Sequence, residues 1–598
     1  MAYRNNKKKP TVLGLLFEGS DPSAALIMEG KIIAVVEEER MLREKHASWK
    51  FPIKAVNYCL ETADITLKDV DFIAIGWEAN KFPSYMRKFY AETEEKYSDF
   101  FSARARDWQA KNLHRYTKES LTKQLKENIL NICPKKDWPK IVFINHHLAH
   151  ACSAIMMSGF DDALIITADG HGEDDATNIW IGESDEIKHV KQWQLPHSLG
   201  WFYTKFTQFL GFRAHDGEGK LMGLAAYGKE DPDLFEKVDK IIAFTGEDDI
   251  YKISAKFFYG DYEKENYTKE WLEIFGEPLP FEMRTEYSDY HKNLAYAVQK
   301  KLEDIMLNIV DHAIELTGKQ NICVAGGTFM NCKMNGEIAK KYGYDKLFVQ
   351  PIAGDNGISL GSALAVYLNE KAGWKRERLN NIYFGPEYDQ KEITSALKKA
   401  GLTYIKSKNV EKDTAKYVAD SKIVGWYQGK MEVGARALGN RSIIANPLDP
   451  KTSNIVNMKV KFRETWRPFC PSTMIEDGQK YFDYNFELPF MVVACEARAG
   501  FKTILPSAIH VDNTVRVQTV SKETNPKFHN LIREFKEITG YGVVINTSFN
   551  LKGEPIVNTP ENAIDTFLNS GMDVLVIGDY IIDEKANPVQ GNESNASD

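Results

Sequence analysis

The residues with the clearest capacity for chemistry are two histidines, His146 and His150, which follow an apolar run at residues 141–144 in the sequence IVFINHHLAH. The apolar run is typical of a buried strand, and Asn145 is a favourable N-cap, so we predict a helix that begins at His146. Residues four apart project from the same face of a helix, whereas His147 points elsewhere. The two imidazoles can therefore bind one metal ion, unless they are only capping or surface residues.

Two aspartates supply the carboxylates that such a site needs. A second apolar strand, residues 163–168, ends at Asp169, before the glycine-rich sequence GHGE (170–173), which we predict to be a turn. Asp355 lies in the turn GDNG, just before the apolar helix sequence SLGSALAVYL. Two imidazoles with carboxylates suit a borderline divalent metal such as iron, manganese or zinc. The predicted metal ligands are His146, His150, Asp169 and Asp355.

Glycines at the ends of predicted strands indicate nucleotide binding. The strand predicted at residues 322–325 runs into Gly326-Gly327-Thr328 and then a helix. Glycines at such a turn let backbone amides approach a phosphate, and the positive end of the helix favours negative charge. The predicted nucleotide-binding residues are Gly170, Gly172, Glu173, Gly326, Gly327 and Asn331.

The C-terminal third is unusually dense in arginine, in the sequences GARALGNRS, KFRETWRPF and DNTVRVQTV. Most of these cations lie beside glycine, proline or aromatic residues, in contexts typical of loops that grip phosphate or carboxylate. For any single arginine the alternative is a surface salt bridge. Together with a cluster of hydroxyls and amides they predict an anionic substrate site. The set comprises Arg436, Arg441, Lys461, Arg463, Arg467, Arg516, Asn546, Thr547, Ser548 and Asn550.

A repeated pattern of strands is predicted to position these residues. The segment 11–40 predicts a strand, an acidic glycine-containing turn and two further strands, and the segment that follows residue 162 repeats this plan. The repetition predicts an internally duplicated α/β fold, which often holds a nucleotide between its halves. The charged segment 85–130 is predicted to be helical, either as a solvated face or as a wall of an acceptor pocket.

Composition narrows the class of protein. A chain of 598 residues is too long for one hydrophobic core and predicts about two or three domains. The net charge of -8 gives no footprint for broad nucleic-acid binding, and no apolar run is long enough to span a membrane. Seven scattered cysteines without a Cys-x-x-Cys pair fit a reduced, cytoplasmic protein. The predicted domains are residues 1–378 and 382–590, with a disordered tail at 591–598.

The order of these motifs resembles a known family over nearly the whole chain. The resemblance rests on the sequences VLGLLFEGSDPSAALI, NHHLAHA, TADGHGE, GKLMGLAAYG, AGGTFMN, GDNGISLGSA, GARALGNRS, FRETWRPF and NTSFNLKGEP. They are similar to the carbamoyltransferases of natural-product biosynthesis, of the nodulation-factor, cephamycin and tobramycin type. The resemblance implies an α/β fold: a duplicated sugar-kinase/actin-like N-terminal domain, like the tRNA threonylcarbamoyl transferase, and a YrdC-like α/β C-terminal domain.

The resemblance also implies a reaction in two stages. Carbamoyl phosphate loses phosphate, the carbamate attacks ATP (bound with Mg²⁺) to give carbamoyl adenylate, and a hydroxyl of a small-molecule acceptor then takes the carbamoyl group. The family's Fe(II) ligands fall on the four predicted metal ligands given above. The carbamoyl phosphate and adenylation residues fall on Arg436, Lys461, Arg467, Arg516, Asn546, Ser548 and Asn550. A homodimer is compatible with this family.

One departure from the family pattern concerns the acceptor's base. Members of the family commonly have a histidine directly before the aspartate of the first turn, but here Ser20 precedes Asp21. A serine is not a base near neutral pH, so Asp21, His46 or a group of the acceptor takes this role, or the acceptor is not a simple hydroxyl. The predicted catalytic residues are Asp21, His46, Lys461 and Arg463. The alternative functions are a fused tRNA threonylcarbamoyl synthase and a non-enzymatic nucleotide-binding switch.

Overall fold

A computed structural model describes residues 9–96, 110–132, 134–246, 249–259, 267–281 and 286–587. The chain forms two compact units. Unit 1 comprises Met1–Glu38 and His46–Leu379, and unit 2 comprises Glu39–Lys45 and Asn380–Asp598. The sequence predicts an N-terminal domain without interruption, whereas the short segment Glu39–Lys45 belongs to unit 2. The predicted disordered tail lies outside the described residues.

Contacts within unit 2 explain the assignment of this short segment. Arg40 donates a hydrogen bond to the carbonyl of Gly434 at 2.6 Å. Arg43 donates to the carbonyls of Pro555 and Ile556 at 2.8 and 2.9 Å. A guanidinium with several planar donors satisfies buried carbonyls well, so these two arginines bind the segment to unit 2.

Unit 1 contains two five-stranded sheets with the same strand order. The first sheet has the order β3-β2-β1-β4-β5 and the second β12-β11-β6-β7-β8. In the first sheet, the central strand β1 pairs antiparallel with β2 and parallel with β4. In the second sheet, the central strand β6 pairs antiparallel with β7 and parallel with β11. This repetition confirms the predicted duplication. The strands are β1 (Val12–Leu16), β2 (Ser23–Met28), β3 (Lys31–Glu37), β4 (Phe72–Ile75), β5 (Lys140–Phe143), β6 (Asp162–Gly172), β7 (Asp175–Glu183), β8 (Glu186–Gln194), β9 (Ile242–Phe244), β10 (Tyr251–Ile253), β11 (Ile322–Ala325) and β12 (Leu347–Val349).

Two helices of unit 1 approach each other closely at a glycine. A Cβ at Gly361 would overlap the carbonyl of Ala149, so the helices that carry these two residues pack backbone to backbone. Gly318, with φ of 66°, ends the long helix whose apolar spacing the sequence predicts. The helices are α1 (Glu38–Leu42), α2 (Ile53–Thr62), α3 (Lys81–Lys96), α4 (Lys118–Asn128), α5 (His146–Ile155), α6 (Leu199–Phe209), α7 (Glu218–Ala225), α8 (Pro232–Asp239), α9 (Lys256–Tyr259), α10 (Lys269–Phe275), α11 (Asp289–Thr317), α12 (Cys332–Tyr342) and α13 (Ile358–Asn369).

The charged segment 85–130 is helical where the structure describes it. It contains the later part of α3 and all of α4, while residues 97–109 lie outside the described residues. No helix in the described parts of the chain has both the length and the apolar character that crossing a membrane requires.

Unit 2 is built on an eight-stranded mixed sheet, of order β13-β23-β22-β14-β15-β21-β16-β20, and a three-stranded sheet, β17-β18-β19. The strands are β13 (Ile405–Lys406), β14 (Val424–Tyr427), β15 (Arg441–Ala445), β16 (Cys470–Met474), β17 (Phe482–Asp483), β18 (Cys495–Ala497), β19 (Thr514–Val515), β20 (Gln518–Val520), β21 (Val543–Ser548), β22 (Val574–Ile577) and β23 (Tyr580–Asp583). The helices are α14 (Gln390–Lys399), α15 (Val410–Ala419), α16 (Thr452–Ile455), α17 (Phe501–Ile504), α18 (Pro526–Thr539) and α19 (Pro560–Leu568).

The core of unit 2 lies between this large sheet and the pair α15 and α18. Phe528, Ile532 and Phe535 are fully buried and step along one face of α18, against Trp426 and Val544 of the sheet. The fold is thus mixed α/β, with an internally duplicated N-terminal unit and an α/β C-terminal unit, which confirms the predicted α/β class and the predicted duplication.

Candidate active site

Four side chains from three parts of unit 1 meet at one point. His146 and His150 lie one turn apart on α5, and Asp169 lies in β6. Asp355 begins a short 3₁₀ turn, Asp355–Gly357, that leads into α13. One ligand atom from each of the four lies within 4.8 Å of the others, so the structure brings together all four predicted metal ligands.

The helix cap and strand that the sequence predicts produce this geometry. The side chain of Asn145 accepts a hydrogen bond from the backbone N–H of Leu148, which fixes the start of α5. His150 Nε2 lies 2.9 Å from Asp169 Oδ2. His146 Nε2 lies 3.5 Å from Asp355 Oδ1 and 4.0 Å from Asp169 Oδ2.

The donor set fits a divalent metal ion. His146 is fully buried, and its Nδ1 lies 3.1 Å from the carbonyl of Gly76, which leaves Nε2 facing the carboxylates. That Nε2 atom has no hydrogen-bond partner among the described residues. Two carboxylates this close repel each other unless positive charge lies between them. A cation held by these four residues would give His146 Nε2 a partner and would remove the repulsion between the two carboxylates.

The pKa values of His146 and Asp355 also indicate that positive charge is favourable in this cluster. Burial disfavours protonation of His146, but the nearby carboxylates, Asp355 first and then Asp169, outweigh burial and raise the pKa of His146 to about 9. Burial, and then the charge of Asp169, raise the pKa of the Asp355 carboxyl. Both shifts arise because negative charge is concentrated in a buried site.

The remaining histidine of the helix serves the fold. His147 Nδ1 lies 2.9 Å from Thr167 Oγ1, and its Nε2 lies 3.1 Å from the carbonyl of Asp175. Burial, and then the nearby His150 and His146, lower the pKa of His147 well below its usual range. His147 points away from the cluster, as predicted.

The glycine-rich sequence 170–173 differs from the predicted turn. β6 continues through Gly172, so Gly170 and Gly172 lie in a strand. Glu173 is buried, and its carboxylate accepts hydrogen bonds from the backbone N–H groups of Glu78 and His146 and from Asn145. The carboxylate therefore neutralises the start of α5, where negative charge is favourable.

Of the other residues predicted to bind a nucleotide, Gly326 and Gly327 lie closest to the metal-ligand cluster. A Cβ at Gly327 would lie 2.9 Å from Asp169 Oδ1. Asn331 is the N-cap of α12, and its side chain exchanges hydrogen bonds with Gln299 at 2.8 and 3.1 Å. The structure thus gives Asn331 and Glu173 packing roles, whereas the two glycines leave backbone close to the cluster.

A test of the close packing at Gly172 follows from its neighbours. A Cβ there would lie 2.7 to 2.8 Å from carbons of His146 and His147. We expect Gly172→Ala to destabilise unit 1 by about 1–3 kcal/mol, measured by urea unfolding, because the β6 backbone cannot keep its distance from α5. Gly219→Ala is the matched control, since a Cβ there meets nothing within 4 Å. An unchanged midpoint for Gly172→Ala would contradict the packing.

Asp21 and His46 form a second pair in unit 1. His46 Nδ1 lies 2.8 Å from Asp21 Oδ1, and the backbone N–H of Asp21 donates to the carbonyl of His46 at 3.1 Å. Both residues have positive φ, 54° and 63°, a strained conformation that often marks functional turns. The structure therefore brings together the two residues that the sequence offered as alternative bases.

In unit 2, Lys461 is the centre of the predicted anion site. Its side chain is 5% exposed, and Nζ donates to the carbonyl of Ser548 and to Asn550 Oδ1, the latter at 2.7 Å. Ser548 Oγ in turn donates to Asn550 Oδ1 at 2.7 Å. Burial, and then the charges of Arg463 and Arg467, lower the pKa of Lys461 well below its usual range. The chain thus holds several positive charges close together, an arrangement that an anion stabilises.

Three of the predicted arginines have different surroundings. Arg463 donates to Asn457 at 2.6 Å, and burial with the neighbouring Arg467 lowers its pKa. Arg516 approaches Cys470 Sγ with Nε at 3.0 Å and Nη2 at 2.9 Å. Arg436 lies half-buried in the irregular segment between β14 and β15.

The prediction that Arg441 binds substrate is not supported by its position. Arg441 is fully buried in β15, lies over the ring of Tyr427 at 3.8 Å, and donates to the carbonyls of Gln428, Gly429 and Pro386. Its Nη1 and Nη2 groups are used by the fold and its charge lies over an aromatic ring, which explains its burial without a ligand. The loop context inferred from GNRS was wrong because the strand begins at Arg441 itself.

Asn546 belongs to a buried polar network that the sequence does not indicate. Its Nδ2 donates to Ser472 Oγ at 3.1 Å and to Gln518 Oε1 at 3.0 Å. The strands of Ser472 and Gln518, CPSTM and QTV, also carry buried threonines. No local pattern therefore distinguishes the members of the network from their neighbours.

Comparison with known proteins identifies the family. A family model described as carbamoyltransferase N-terminus matches residues 12–364, and one described as carbamoyltransferase C-terminus matches residues 415–584. An uncharacterised protein of Synechocystis is 34% identical to this chain, and the alignment covers 96% of this chain and 97% of that protein. Nodulation protein NolNO of Sinorhizobium fredii is 34% identical, with coverage of 94% and 79%. The 3'-hydroxymethylcephem-O-carbamoyltransferase of Amycolatopsis lactamdurans is 29% identical, with coverage of 60% and 64%. The chain therefore belongs to the carbamoyltransferase family and is an enzyme, not a non-enzymatic switch.

Proposed function

We propose that this enzyme makes carbamoyl adenylate from carbamoyl phosphate and ATP, and transfers the carbamoyl group to a hydroxyl of a small-molecule acceptor. The observation that carries the proposal is the cation cluster around Lys461, which lies among hydroxyl and amide oxygens in the unit that matches the carbamoyltransferase C-terminus. In the first stage water releases phosphate from carbamoyl phosphate. A carbamate oxygen then attacks the α-phosphorus of ATP, which is bound with Mg²⁺, and pyrophosphate leaves.

The residues of unit 2 suit this first stage. Free carbamate decomposes in water, so a site that holds it beside ATP until adenylation avoids a side reaction. Lys461, Arg463 and Arg467 offset the negative charge that develops on the attacked phosphate. Arg516, whose guanidinium contacts Cys470 Sγ, is assigned to a second anionic group of the substrates.

The second stage is assigned to unit 1. The acceptor O–H attacks the carbamoyl carbon, and AMP leaves. A divalent ion such as Fe(II), Mn or Zn, held by His146, His150, Asp169 and Asp355, would supply Lewis-acid polarisation of a substrate oxygen. His46 takes the acceptor's proton, and Asp21 holds the imidazole in a fixed orientation through the contact of 2.8 Å. A hydroxyl acceptor is supported by the relative whose name specifies O-carbamoylation of a 3'-hydroxymethyl group.

The Asp21–His46 pair is expected to affect only the transfer stage. We expect Asp21→Asn to reduce carbamoyl transfer about 100-fold, because the imidazole loses the carboxylate that orients it. The measurement is incorporation of label from carbamoyl phosphate into hydroxyl compounds selected by screening. Pyrophosphate release should stay unchanged. Ser20→Ala is the neighbouring control and should retain transfer, and a comparable loss there would contradict the assignment of the base.

The first stage can be tested before any acceptor is known. Purified enzyme with ATP and Mg²⁺ is assayed for pyrophosphate, with and without carbamoyl phosphate. We expect release that requires carbamoyl phosphate and disappears in Arg467→Ala. No release under either condition, with the acceptor screen included, would reject the carbamoyl adenylate mechanism. The alternative of a tRNA threonylcarbamoyl enzyme would instead require threonine, bicarbonate and tRNA for turnover.

A further inference from the structure

Three polar side chains lie on neighbouring strands in the interior of unit 2. Asn546 is in β21, Ser472 in β16 and Gln518 in β20, and these strands are adjacent in the sheet. Ser472 pairs with Gln518 in the strand register. The side chains are 1%, 0% and 2% exposed, respectively. Amides and hydroxyls buried to this degree need hydrogen-bond partners, so their orientations are informative.

The direction of each hydrogen bond in this network follows from one backbone group. Gln518 Nε2 lies 2.9 Å from the carbonyl oxygen of Leu438, which can only accept. The opposite end of the Gln518 amide, Oε1, therefore faces Asn546 and Ser472, and it too can only accept. Ser472 Oγ donates to it at 2.6 Å and Asn546 Nδ2 at 3.0 Å. The Asn546 amide is thus fixed with its nitrogen toward Gln518 and its oxygen on the other side.

This fixed oxygen is left without a donor. Asn546 Oδ1 is buried and has no hydrogen-bond partner among the described residues. A buried carbonyl oxygen without a donor is unfavourable. Rotating the Asn546 amide does not relieve it, because Oδ1 would then face Gln518 Oε1, which can only accept. The oxygen is therefore suited to an N–H or O–H group of a ligand.

The strand neighbour of Asn546 contacts one of the cations of the predicted anion site. Asn546 pairs across the sheet with Cys470, whose Sγ is approached by Arg516. The charge of Arg516 also acts on Arg463, beside Lys461. Carbamoyl phosphate presents acceptor oxygens, which suit these cations, and its only N–H donors are those of its NH₂ group.

We propose that Gln518 and Ser472 hold Asn546 so that its Oδ1 accepts an N–H of the carbamoyl group, and that this network selects carbamoyl phosphate over acyl phosphates that lack the NH₂ group. Gln518 and Ser472 are positioning residues in this assignment, since they act through Asn546. The inference rests on the proposed function, because it adds Gln518 and Ser472 to the carbamoyl phosphate site of unit 2 as the residues that set its selectivity.

Acetyl phosphate is the probe, because a methyl group replaces NH₂ with little change in size. The readouts are KM for carbamoyl phosphate in pyrophosphate release, Ki for acetyl phosphate in the same assay, and the affinity of both compounds by calorimetry. We expect acetyl phosphate to bind the unsubstituted enzyme at least about 10-fold more weakly than carbamoyl phosphate.

The variants separate positioning from general damage. We expect Gln518→Met to lower the ratio of the two affinities at least about 5-fold by weakening carbamoyl phosphate alone, while kcat changes little. Ser472→Thr should keep the ratio and Ser472→Ala should lower it. Gln428→Met is the matched control, because Gln428 is also a buried glutamine whose Nε2 donates to a backbone carbonyl, that of Gly578.

Each outcome has a defined meaning. Equal affinity of the two phosphates in the unsubstituted enzyme, or an unchanged ratio in folded Gln518→Met, would overturn the inference. Should Gln518→Met fail to fold, Ser472→Ala against Ser472→Thr decides. Absence of pyrophosphate release would reject the proposed function. The ratio of the calorimetric affinities for carbamoyl phosphate and acetyl phosphate would still decide whether the network recognises the NH₂ group.

Discussion

Replacement of Lys461 by methionine is expected to reduce carbamoyl phosphate-dependent pyrophosphate release by about 1,000-fold. Lys461 is buried, and its Nζ lies among the oxygens of Ser548 and Asn550 with Arg463 and Arg467 nearby. Nζ is therefore already desolvated and fixed where negative charge develops, and an anionic substrate bound there favours its charged form. A cation in such a position contributes most to catalysis. Methionine fills nearly the same volume without the charge.

The loss should occur without a loss of folding stability. Methionine leaves oxygens of Ser548 and Asn550 without the Nζ donor, which costs stability. It also removes a lysine whose charged form is disfavoured by burial, as its lowered pKa shows, and this gain offsets the cost. The thermal midpoint of Lys461→Met is therefore expected to stay close to that of the unsubstituted enzyme. Lys459→Met is the control, because Lys459 is an exposed lysine two residues away. Activity retained in Lys461→Met, or lost equally in the control, would place the reaction elsewhere.

The second large effect concerns the metal content of the purified enzyme. We expect about one divalent ion per chain, and at least about 100-fold weaker binding in His146→Ala. His146 contributes a buried Nε2 atom whose ring orientation is set by the carbonyl of Gly76, so no other described side chain replaces it. The measurement is elemental analysis after dialysis against a chelator of known strength.

A neighbouring histidine provides the control for this experiment. His147 lies on the same helix and is equally buried, but its ring contacts Thr167 and the carbonyl of Asp175. His147→Gln is expected to reduce stability and keep the ion. Metal removal is expected to lower the unfolding midpoint of the unsubstituted enzyme, because an ion that binds only the folded state stabilises it. Full metal content in His146→Ala, or equal loss in both variants, would contradict the four-residue site.

Features with local causes could be predicted from the sequence. The cap at Asn145, the four-residue spacing of His146 and His150, and the strand that leads to Asp169 depend on residues close in the chain. The duplicated strand pattern is also local, since each copy carries its own alternation and turns, and the two sheets repeat it. For this reason the family and both groups of candidate residues could be named before the structure.

Features that depend on pairing of distant segments could not be predicted in this way. Whether an arginine binds substrate or carbonyls depends on which strand lies beside it, as Arg441 in β15 shows. Glu173 faces the start of α5 only because β6 packs against that helix. The orientation of the Asn546 amide depends on Ser472 and Gln518, from two other strands, and on a carbonyl far away in the chain.

The sequence by itself therefore determined the kinds of elements and the chemical groups they carry, because periodicity, capping and turns act over a few residues. The tertiary structure alone decided which of those groups are satisfied by the protein and which are left to a ligand. Hydrogen bonds and charges in a buried site are fixed by neighbours that lie tens to hundreds of residues away in the chain, and no local pattern contains that information.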